Sequence, residues 1–247
     1  MRLRERIVPI VVTAPDDKLL IRWKQKLDAN ECALLAGIVR RVFALDGNLR
    51  PFYDAIAEDD PLAWARSGAG RMLASPSVLE DLVKTLCSTN CAFSATRRMI
   101  AALVELGGGT FPSAAMLAAT PERVFVDVVR MGYRARALRE LAERTADASL
   151  DVEALRAADG AEEEAVAQTL GSIRGFGPYA VAHAMQLLGF HRPLILDSWT
   201  RPSYLRLLGK QRRSDATIRR DFARYGRFAG LAFWLTLTRD WLPSEAM

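Results

Sequence analysis

Apolar residues recur at helical spacing along almost the whole chain after residue 28. In the stretch 34–42, leucine, isoleucine and valine fall three and four residues apart, as on one face of an α-helix. A cap at Ser75-Pro76 and a turn at 88–90 each open a further helix, the second ending near Leu106. The same criteria predict helices over 121–131, 134–146, 162–171, 178–188, 199–208, 214–225 and 228–238.

Residues 1–28 are the exception to this helical pattern. The segments 7–13 and 19–23 are rich in valine, isoleucine and leucine, and the polar residues Pro15-Asp16-Asp17 stand between them. Such runs, separated by turn-forming residues, are typical of short strands. The sequence therefore predicts a mainly α protein that begins with a small β element.

The composition excludes several classes of protein. The chain has 247 residues, of which 50% are hydrophobic and 26% charged. These values fit a globular protein and exclude disordered, collagen-like and coiled-coil chains. No apolar run approaches the roughly 18 residues of a membrane span, and the apolar stretch near the start is too short for a signal peptide. We therefore expect a cytoplasmic protein with no membrane partner.

The cysteines and histidines exclude most metal sites. Cys32, Cys87 and Cys91 cannot form a disulfide framework, and no second cysteine pair or nearby histidine completes a zinc or iron–sulfur ligand set. We interpret them as core thiols. Since His183 and His191 are the only histidines, a Ser-His-Asp or multi-histidine metal enzyme is disfavoured.

The positive charge of the chain is almost entirely arginine. The net charge is +5, from 29 arginines and 5 lysines against 29 acidic residues. Planar guanidinium groups suit phosphates and base edges better than a lysine ammonium does. This composition points weakly to nucleic acid, and an arginine-rich surface without function explains it equally well.

The segment 170–183 carries the most chemical information. A predicted helix ends, the tight turn Gly175-Phe176-Gly177 follows, and Pro178 takes the first position of the next helix. Glycines let the backbone approach a ligand closely, and amides at a helix start favour an anion such as phosphate. By itself, such a turn can equally serve helix packing.

An acidic residue follows this turn at a suggestive distance. Asp197 comes directly after the aliphatic run 194–196 and before a predicted helix. Twenty residues separate it from Gly177, which is enough for one helix and a return beside the turn. Taken alone, an acid in this position is more often a helix N-cap.

Together these segments resemble the helix-hairpin-helix DNA glycosylases, the superfamily of endonuclease III and of the adenine-mismatch, 3-methyladenine and 8-oxoguanine glycosylases. The family pattern is a Gly-Val/Ile-Gly hairpin, then a specificity residue two positions on, then a catalytic Asp. Gly175, Phe176, Gly177, Tyr179 and Asp197 occupy those places, with Phe176 replacing the aliphatic residue.

Two further motifs extend the resemblance. The segment 86–90 (Leu-Cys-Ser-Thr-Asn) resembles a turn of the 8-oxoguanine enzyme whose Asn enters the space left by the flipped base. The segment 132–136 (Gly-Tyr-Arg-Ala-Arg) resembles that enzyme's wedge loop. The resemblance implies that Tyr133 intercalates and that Arg134 and Asn90 contact the orphaned base.

The resemblance also implies a fold. It predicts two helical subdomains with a cleft between them for the base. A six-helix barrel with the hairpin would cover 78–195, and the second subdomain would combine 29–77 with 196–247. Residues 1–28 would be a truncated remnant of the β domain that precedes this fold in some members.

The implied mechanism begins with extrusion of the damaged base from the duplex. Asp197 would be catalytic, stabilising the positive sugar or orienting water, and the amides near Gly175 and Gly177 would hold phosphates. Hairpin carbonyls would bind a structural Na⁺ or K⁺, with no cofactor required and no iron–sulfur cluster, since the C-terminal region lacks cysteine. The carbonyls implied are those of Gly171, Ile173 and Phe176.

Position 179 decides the reaction class within this family. Bifunctional members carry a lysine there, whose amine attacks the sugar. Here the residue is Tyr179, and no lysine occurs between Lys84 and Lys210. The resemblance therefore implies a monofunctional enzyme, in which water attacks and an abasic site remains.

The sequence departs from the 8-oxoguanine pattern at two positions. Ala95 stands where a second arginine contacts the orphaned cytosine, and Phe233 where a glutamine contacts the base. The implied pocket is aromatic and poor in donors, which favours a cationic alkylated purine. Its predicted members are Tyr179, His183, Phe233 and Trp234.

We accordingly predict a monomeric, nucleoid-associated glycosylase that acts on alkylated purines in double-stranded DNA. An oxidised-purine glycosylase is the first alternative. A non-catalytic helix-hairpin-helix protein that binds lesions is the second, although it would not need Asp197.

Overall fold

The computed structural model of the protein describes residues 1–3, 6–16 and 18–241. These residues are mainly α-helical, as predicted, and include two small antiparallel sheets. The strands are β1 (Arg2–Leu3), β2 (Arg6–Ile7), β3 (Ile10–Thr13) and β4 (Leu20–Trp23). The α-helices are α1 (Ala29–Val42), α2 (Arg50–Asp54), α3 (Val78–Ser88), α4 (Phe93–Leu106), α5 (Ala114–Ala119), α6 (Glu122–Asp127), α7 (Arg134–Ala146), α8 (Glu163–Gly171), α9 (Pro178–Leu187), α10 (Thr200–Leu207), α11 (Asp215–Phe222) and α12 (Ala229–Thr238). The 3-10 helices are Ala63–Ser67, Glu153–Leu155, Ala157–Asp159, Ala223–Phe228 and Arg239–Trp241.

The first predicted strand, 7–13, is divided in two. Ile7 pairs with Arg2 in the β1–β2 ladder, and β3 begins only at Ile10. Pro9 lies at the break, because a proline has no N–H to donate to a ladder. The prediction of one continuous strand over 7–13 was therefore wrong.

The β3–β4 hairpin closes at the predicted polar turn. The Lys18 N–H donates to the Pro15 carbonyl at 2.9 Å, while Asp17 lies outside the described residues. Alternate side chains of the two strands pack on a small core with α1, as the two-residue period of a strand requires. This core is centred on Leu3, Val8, Leu35 and Val39.

Most of the predicted helices are confirmed to within a few residues. The helix predicted over 121–131 is shorter than expected, because α6 ends at Asp127. Helices α2 and α5 were not predicted, since five and six residues are too few to show a helical repeat. Within the described ranges, no helix has the length and apolar character needed to cross a membrane.

The start of α3 also differs from the prediction. The N-cap is Ser77, whose Oγ accepts a hydrogen bond from the Glu80 N–H at 3.2 Å. The Ser75 N–H instead donates to Asp81 Oδ1 at 2.8 Å. Pro76 therefore precedes the cap rather than occupying the first helical position.

The chain divides into two compact units, each formed by two segments. The first unit is Met1–Phe43 with Ser75–Leu150, and the second is Ala44–Ala74 with Asp151–Met247. The first unit holds the strands, α1 and α3–α7, and the second holds α2 and α8–α12.

These units group two long segments differently from the predicted subdomains, and the first unit also includes the β element 1–28 and residues 75–77. Helix α1 belongs with α3, to which a buried Arg41–Asp81 ion pair links it. The segment 151–195 belongs with the C-terminal helices, and the Gln186 amide on α9 donates to the Pro193 carbonyl at 2.9 Å. Neither link involves a sequence pattern from which it could be predicted.

Replacement of Asp81 by alanine should destabilise the first unit strongly. Asp81 Oδ2 accepts from Arg41 at 2.7 Å, and both side chains are almost fully buried. Burial raises the pKa of Asp81 to about 6 against the opposing effect of Arg41. Because removal of one partner leaves a buried charge unpaired, we expect a loss of about 3 to 5 kcal/mol in the free energy of unfolding.

Urea unfolding followed by circular dichroism measures this loss. Glu143→Ala is the control, since Glu143 forms an exposed ion pair with Arg139 at 2.8 Å on α7, and its loss should change stability by less than about 1 kcal/mol. Equal losses in the two variants would contradict the prediction.

Candidate active site

The predicted hairpin joins α8 to α9 in the second unit. Gly175 has φ +85°, a conformation that L side chains rarely adopt. The side chains of Ile173 and Phe176 are buried and anchor the turn, and the Phe176 N–H donates to the Ile173 carbonyl at 3.1 Å. Gly175 and Gly177 remain exposed. The buried side chains of Ile173 and Phe176 thus fix the turn, and its glycines are open to solvent.

The exposed face of the hairpin suits an anion. Within the described residues, the amides of Gly175 and Gly177 donate no hydrogen bond. A Cβ at Gly177 would meet no atom within 4 Å, so the backbone there is accessible to a ligand. Pro178 then starts α9, whose helix dipole places partial positive charge at this end. Open amides at a helix start can bind phosphate.

Asp197 is held rigidly by the first turn of α10. Its Oδ1 accepts from the Trp199 N–H at 2.8 Å and the Thr200 N–H at 2.7 Å. The Asp197 N–H in turn donates to Thr200 Oγ1 at 2.8 Å. The capping role that the sequence left open is therefore real. It uses only one carboxylate oxygen, because Oδ2 accepts no hydrogen bond from the described residues.

Tyr179 and His183 form a pair one turn apart on α9. The Tyr179 hydroxyl lies 3.2 Å from His183 Nδ1, and the rings meet edge to face with centroids 5.7 Å apart. Burial lowers the pKa of His183 below its ordinary value of 6.5, and the nearby Asp197 carboxylate opposes this shift. His183 is therefore neutral at neutral pH, and it lies within electrostatic range of Asp197.

A cluster of three tryptophans follows Asp197. The ring centroids of Trp199 and Trp234 are 5.9 Å apart, and Trp241 lies 5.5 Å from the first and 5.8 Å from the second. Trp199 and Trp241 are exposed and Trp234 is half-buried. Exposed indoles offer large electron-rich faces for stacking and cation–π contacts.

Trp199 and Trp241 were not among the predicted pocket residues. Trp199 lies two residues after Asp197, which is a local signal that could have found it. Trp241 offers no such signal, since it meets the other two rings only through the packing of the C-terminal helix.

Phe233 was predicted in the base pocket, and the structure places it in the core instead. Its side chain is fully buried and packs edge to face on Tyr204 and Phe222, at 5.7 and 5.2 Å between centroids. Helix α12 is apolar on nearly every side, so its pattern does not show which face is buried. Trp234, one position on, reaches the surface cluster.

A close contact between α12 and the loop before Asp197 fixes the second unit around the site. A Cβ at Gly230 would lie 2.1 Å from the Pro193 carbonyl oxygen, so only glycine fits there. The Gly230 and Leu231 N–H groups donate to the His191 carbonyl at 2.8 and 3.1 Å. The loop that carries Asp197 is therefore packed directly against the start of α12.

The predicted wedge residues lie in the first unit. Tyr133 is 65% exposed at the start of α7, after Gly132, which has φ +57°. Asn90 is exposed in the turn after α3 and has φ +44°, a conformation that asparagine adopts more readily than most residues. Both side chains are therefore available to a ligand.

Arg134, predicted to contact the orphaned base, is buried instead. Its guanidinium donates to the Thr89 carbonyl, to Thr89 Oγ1 at 3.2 Å and to the Met131 carbonyl at 3.4 Å. It also lies 4.5 Å from the centroid of the Tyr133 ring. Because its donors are committed to the turn before Asn90, we correct its role: Arg134 holds the Asn90 turn and Tyr133 together.

The residues proposed for a cation offer backbone oxygens only. Gly171 ends α8, and the Ile173 carbonyl accepts the Phe176 N–H while keeping a second lone pair. Hard oxygen donors of this kind fit Na⁺ or K⁺ better than a transition metal. In the described part of the chain, no group of three or more His, Cys, Asp or Glu side chains is placed to hold a metal ion.

Several solved structures share this architecture. MBOgg1, in complex with a low-affinity DNA ligand, matches with a TM-score of 0.73 at 18% identity over 94% of this chain and 82% of that one. The 3-methyladenine DNA glycosylase from Archaeoglobus fulgidus gives 0.72 at 19% over 99% and 87%. The Clostridium acetobutylicum 8-oxoguanine glycosylase/lyase, bound to double-stranded DNA with cytosine opposite 8-oxoguanine, gives 0.66 at 17% over 94% and 86%.

The chain therefore has the fold of the helix-hairpin-helix DNA glycosylases, as its sequence motifs imply. The structural similarity establishes the fold. Because the identities are only 17 to 19%, the activity must be argued from the residues of the site. No protein-family model and no curated protein matches the chain.

Proposed function

We propose that this protein is a DNA glycosylase, which flips a damaged base out of double-stranded DNA and hydrolyses its N-glycosidic bond. The observation that carries the proposal is the environment of Asp197. One carboxylate oxygen is fixed by two backbone amides, and the other is left without a partner among the described residues. A cap alone needs only the first oxygen. The second would supply the negative charge that the reaction needs.

The hairpin and the wedge supply the binding step of the proposal. The open amides of Gly175 and Gly177 would hold phosphates beside the lesion. Tyr133 would fill the emptied place in the base stack, and Asn90 would contact the orphaned base. These contacts fit the exposure of all four residues.

The chemical step is a displacement at the sugar carbon C1′. The bond from C1′ to the base nitrogen breaks, and the base leaves with the electron pair. Asp197 would stabilise the positive charge that develops on the sugar, an effect worth several kcal/mol in a site from which water is excluded. The oxygen of a water molecule then bonds to C1′, and its proton is released.

We propose that the reaction stops at an abasic site. A lyase step requires an amine that attacks C1′ and forms a Schiff base. Tyr179 occupies the position of that amine, and its hydroxyl contacts His183 instead. The absence of lysine between residues 84 and 210 supports the same conclusion.

We propose an alkylated purine as the substrate. Such a base carries positive charge, and the clustered indoles of Trp199, Trp234 and Trp241 offer electron-rich faces. Trp199 is linked to Asp197 through its backbone N–H. Neutral His183 adds no repulsive charge. The alternative, an oxidised purine, is neutral and gains less from these rings. Both types of substrate are named for proteins with this fold.

The hairpin carbonyls of Gly171, Ile173 and Phe176 would hold a structural Na⁺ or K⁺. The ion would supply positive charge for a DNA phosphate. To bind the ion, these residues would need only to direct their backbone carbonyl oxygens to the same side of the turn.

An excision screen tests the proposed function. Duplexes that each carry one alkylated, oxidised or deaminated base are incubated with the protein and analysed with and without alkali. We expect strand breaks only after alkali, and fastest release from the alkylated-purine duplex. Release of no base from any duplex would overturn the glycosylase proposal, and fastest release of 8-oxoguanine would overturn the alkylated substrate.

Borohydride trapping tests the monofunctional mechanism separately. Without an amine at position 179, no Schiff base forms, so we expect no covalent protein–DNA adduct. A lysine-dependent glycosylase/lyase, trapped in parallel, is the positive control. A trapped adduct would show that another amine acts as the nucleophile.

A further inference from the structure

The second unit contains a cavity of about 500 Å³ that the proposed glycosylase mechanism does not use. It forms where the loop after α9, the end of α11 and the start of α12 meet. Three arginines line it, Arg192, Arg219 and Arg227, together with apolar groups that include Pro193 and Leu194. Among the described residues that line it, none carries a carboxylate.

The arginines of this cavity differ from their neighbours in their ion pairing. Nearby guanidinium groups have acidic partners: Arg201 binds Asp215 through two hydrogen bonds of 2.7 and 2.8 Å, Arg213 binds Asp221, and Arg224 binds Asp60 at 3.1 Å.

By contrast, Arg219 and Arg227 form no ion pair with any described residue, and Arg192 reaches Glu163 only at 3.4 Å. Arg227 lies 4.9 Å from the centroid of the Phe228 ring. Three guanidinium groups therefore meet at this cavity. Glu163 forms an ion pair with one of them, and the charge of Arg219 acts on Asp215, so an excess of positive charge remains that favours an external anion.

The backbone at Gly226 gives access to the cavity. It has φ 54° and ψ −123°, which glycine alone adopts readily, and a Cβ there would meet nothing within 4 Å. Beside it, burial and the charge of Arg227 lower the pKa of His191 to about 4. His191 is therefore uncharged at neutral pH, mainly because of its burial, and the smaller contribution of Arg227 agrees with a positive potential in this region.

The size and lining of the cavity define the ligand class. A volume of 500 Å³ lies in the range of small-molecule sites and exceeds what a bare phosphate fills. Apolar groups suit a sugar or base, and guanidinium groups suit a phosphate. We propose that this cavity binds a nucleotide through its phosphate group. The nucleotide is either free or part of a nucleic acid strand.

Amide NMR with the nitrogen-labelled protein tests the proposal and separates the two sources. Titrations use dAMP, inorganic phosphate and a short single-stranded oligonucleotide, with Leu194, Ala223 and Gly226 as reporters. Saturable shifts with dAMP, reversed by inorganic phosphate, would support a free nucleotide. Shifts with the oligonucleotide alone would support a strand. No shift of these amides with any probe would overturn the proposal.

A matched pair of variants tests the role of the arginines. Arg219→Ala combined with Arg227→Ala should weaken binding of the successful probe by about tenfold or more, as expected for the loss of charge-assisted hydrogen bonds. The control combines Arg212→Ala with Arg220→Ala, which removes the same charge from exposed positions outside the cavity. It should change the affinity less than about twofold.

Equal weakening in both double variants would overturn the proposal, because only net charge would then matter.

The same titrations on the Asp197→Asn protein keep this test independent of catalysis. Loss of base release with unchanged shifts at Gly226 would leave the cavity proposal intact. If the unmodified protein releases the base normally but no probe shifts the amide signals of the cavity, the cavity proposal is wrong and the proposed glycosylase function stands.

Discussion

Replacement of Asp197 by asparagine should slow base release by about 100-fold or more while the fold and duplex binding survive. The asparagine Oδ1 can still accept from the Trp199 and Thr200 amides, so the cap of α10 is retained. Only the negative charge is lost. If that charge stabilises the developing positive sugar, its removal raises the barrier without disturbing the surrounding structure.

Single-turnover excision at saturating protein measures the rate, and fluorescence anisotropy measures duplex binding. Asp28→Asn is the matched control, because Asp28 caps α1 through its side chain, with the Glu31 N–H at 2.8 Å, and lies in the first unit. It should leave the rate unchanged. Full activity of Asp197→Asn would reduce Asp197 to its capping role.

Asp197→Ala separates charge from capping. It removes both, so the rate should fall as in Asp197→Asn, and stability should fall by about 1 kcal/mol in addition. A rate loss in the alanine variant alone would mean that the geometry of the loop, and not the charge, controls base release.

The long helices could be predicted because their apolar residues repeat over several turns. The short ones could not, since α2 has only five residues and its one buried side chain, Phe52, belongs to a core built from distant segments. The break in the first strand was signalled by Pro9, whose missing N–H outweighs the favourable β propensity around it.

The candidate site was predictable where it is local. The hairpin glycines, Tyr179 and His183 lie within nine residues of one another, and a helical period of four brings the last two into contact. The position of Asp197 could be predicted because the twenty residues after Gly177 suffice for one helix and a segment that leads back toward the hairpin.

The remainder of the site depends on packing that no local pattern records. The largely apolar α12 gives no reason to expect that Phe233 is buried more deeply than Trp234, and the tertiary fit of Phe233 to Phe222 decides this. The role of Arg134 depends on the carbonyl of Thr89, 45 residues earlier in the chain. No sequence pattern predicts that an arginine is buried and donates to a distant backbone carbonyl.

Replacement of Tyr133 by alanine should slow excision from double-stranded DNA by about tenfold or more, with little change on single strands. The ring is exposed at the start of α7, and the buried Arg134 guanidinium lies 4.5 Å from its centroid. A rigid ring that replaces the extruded base offsets part of the unstacking free energy, which is a few kcal/mol. A single strand needs no such replacement, so its excision should not depend on the ring.

Parallel rate measurements on duplex and single-stranded substrates test this difference. Tyr133→Phe keeps the planar ring and should retain the duplex rate. The salt dependence of binding should be nearly unchanged in Tyr133→Ala, because the phosphate contacts proposed for Gly175 and Gly177 do not involve the ring. Equal loss on both substrates would instead make Tyr133 a packing residue. The wedge role would then pass to Phe93, which starts α4 and is 77% exposed, and Phe93→Ala should show the duplex-specific loss.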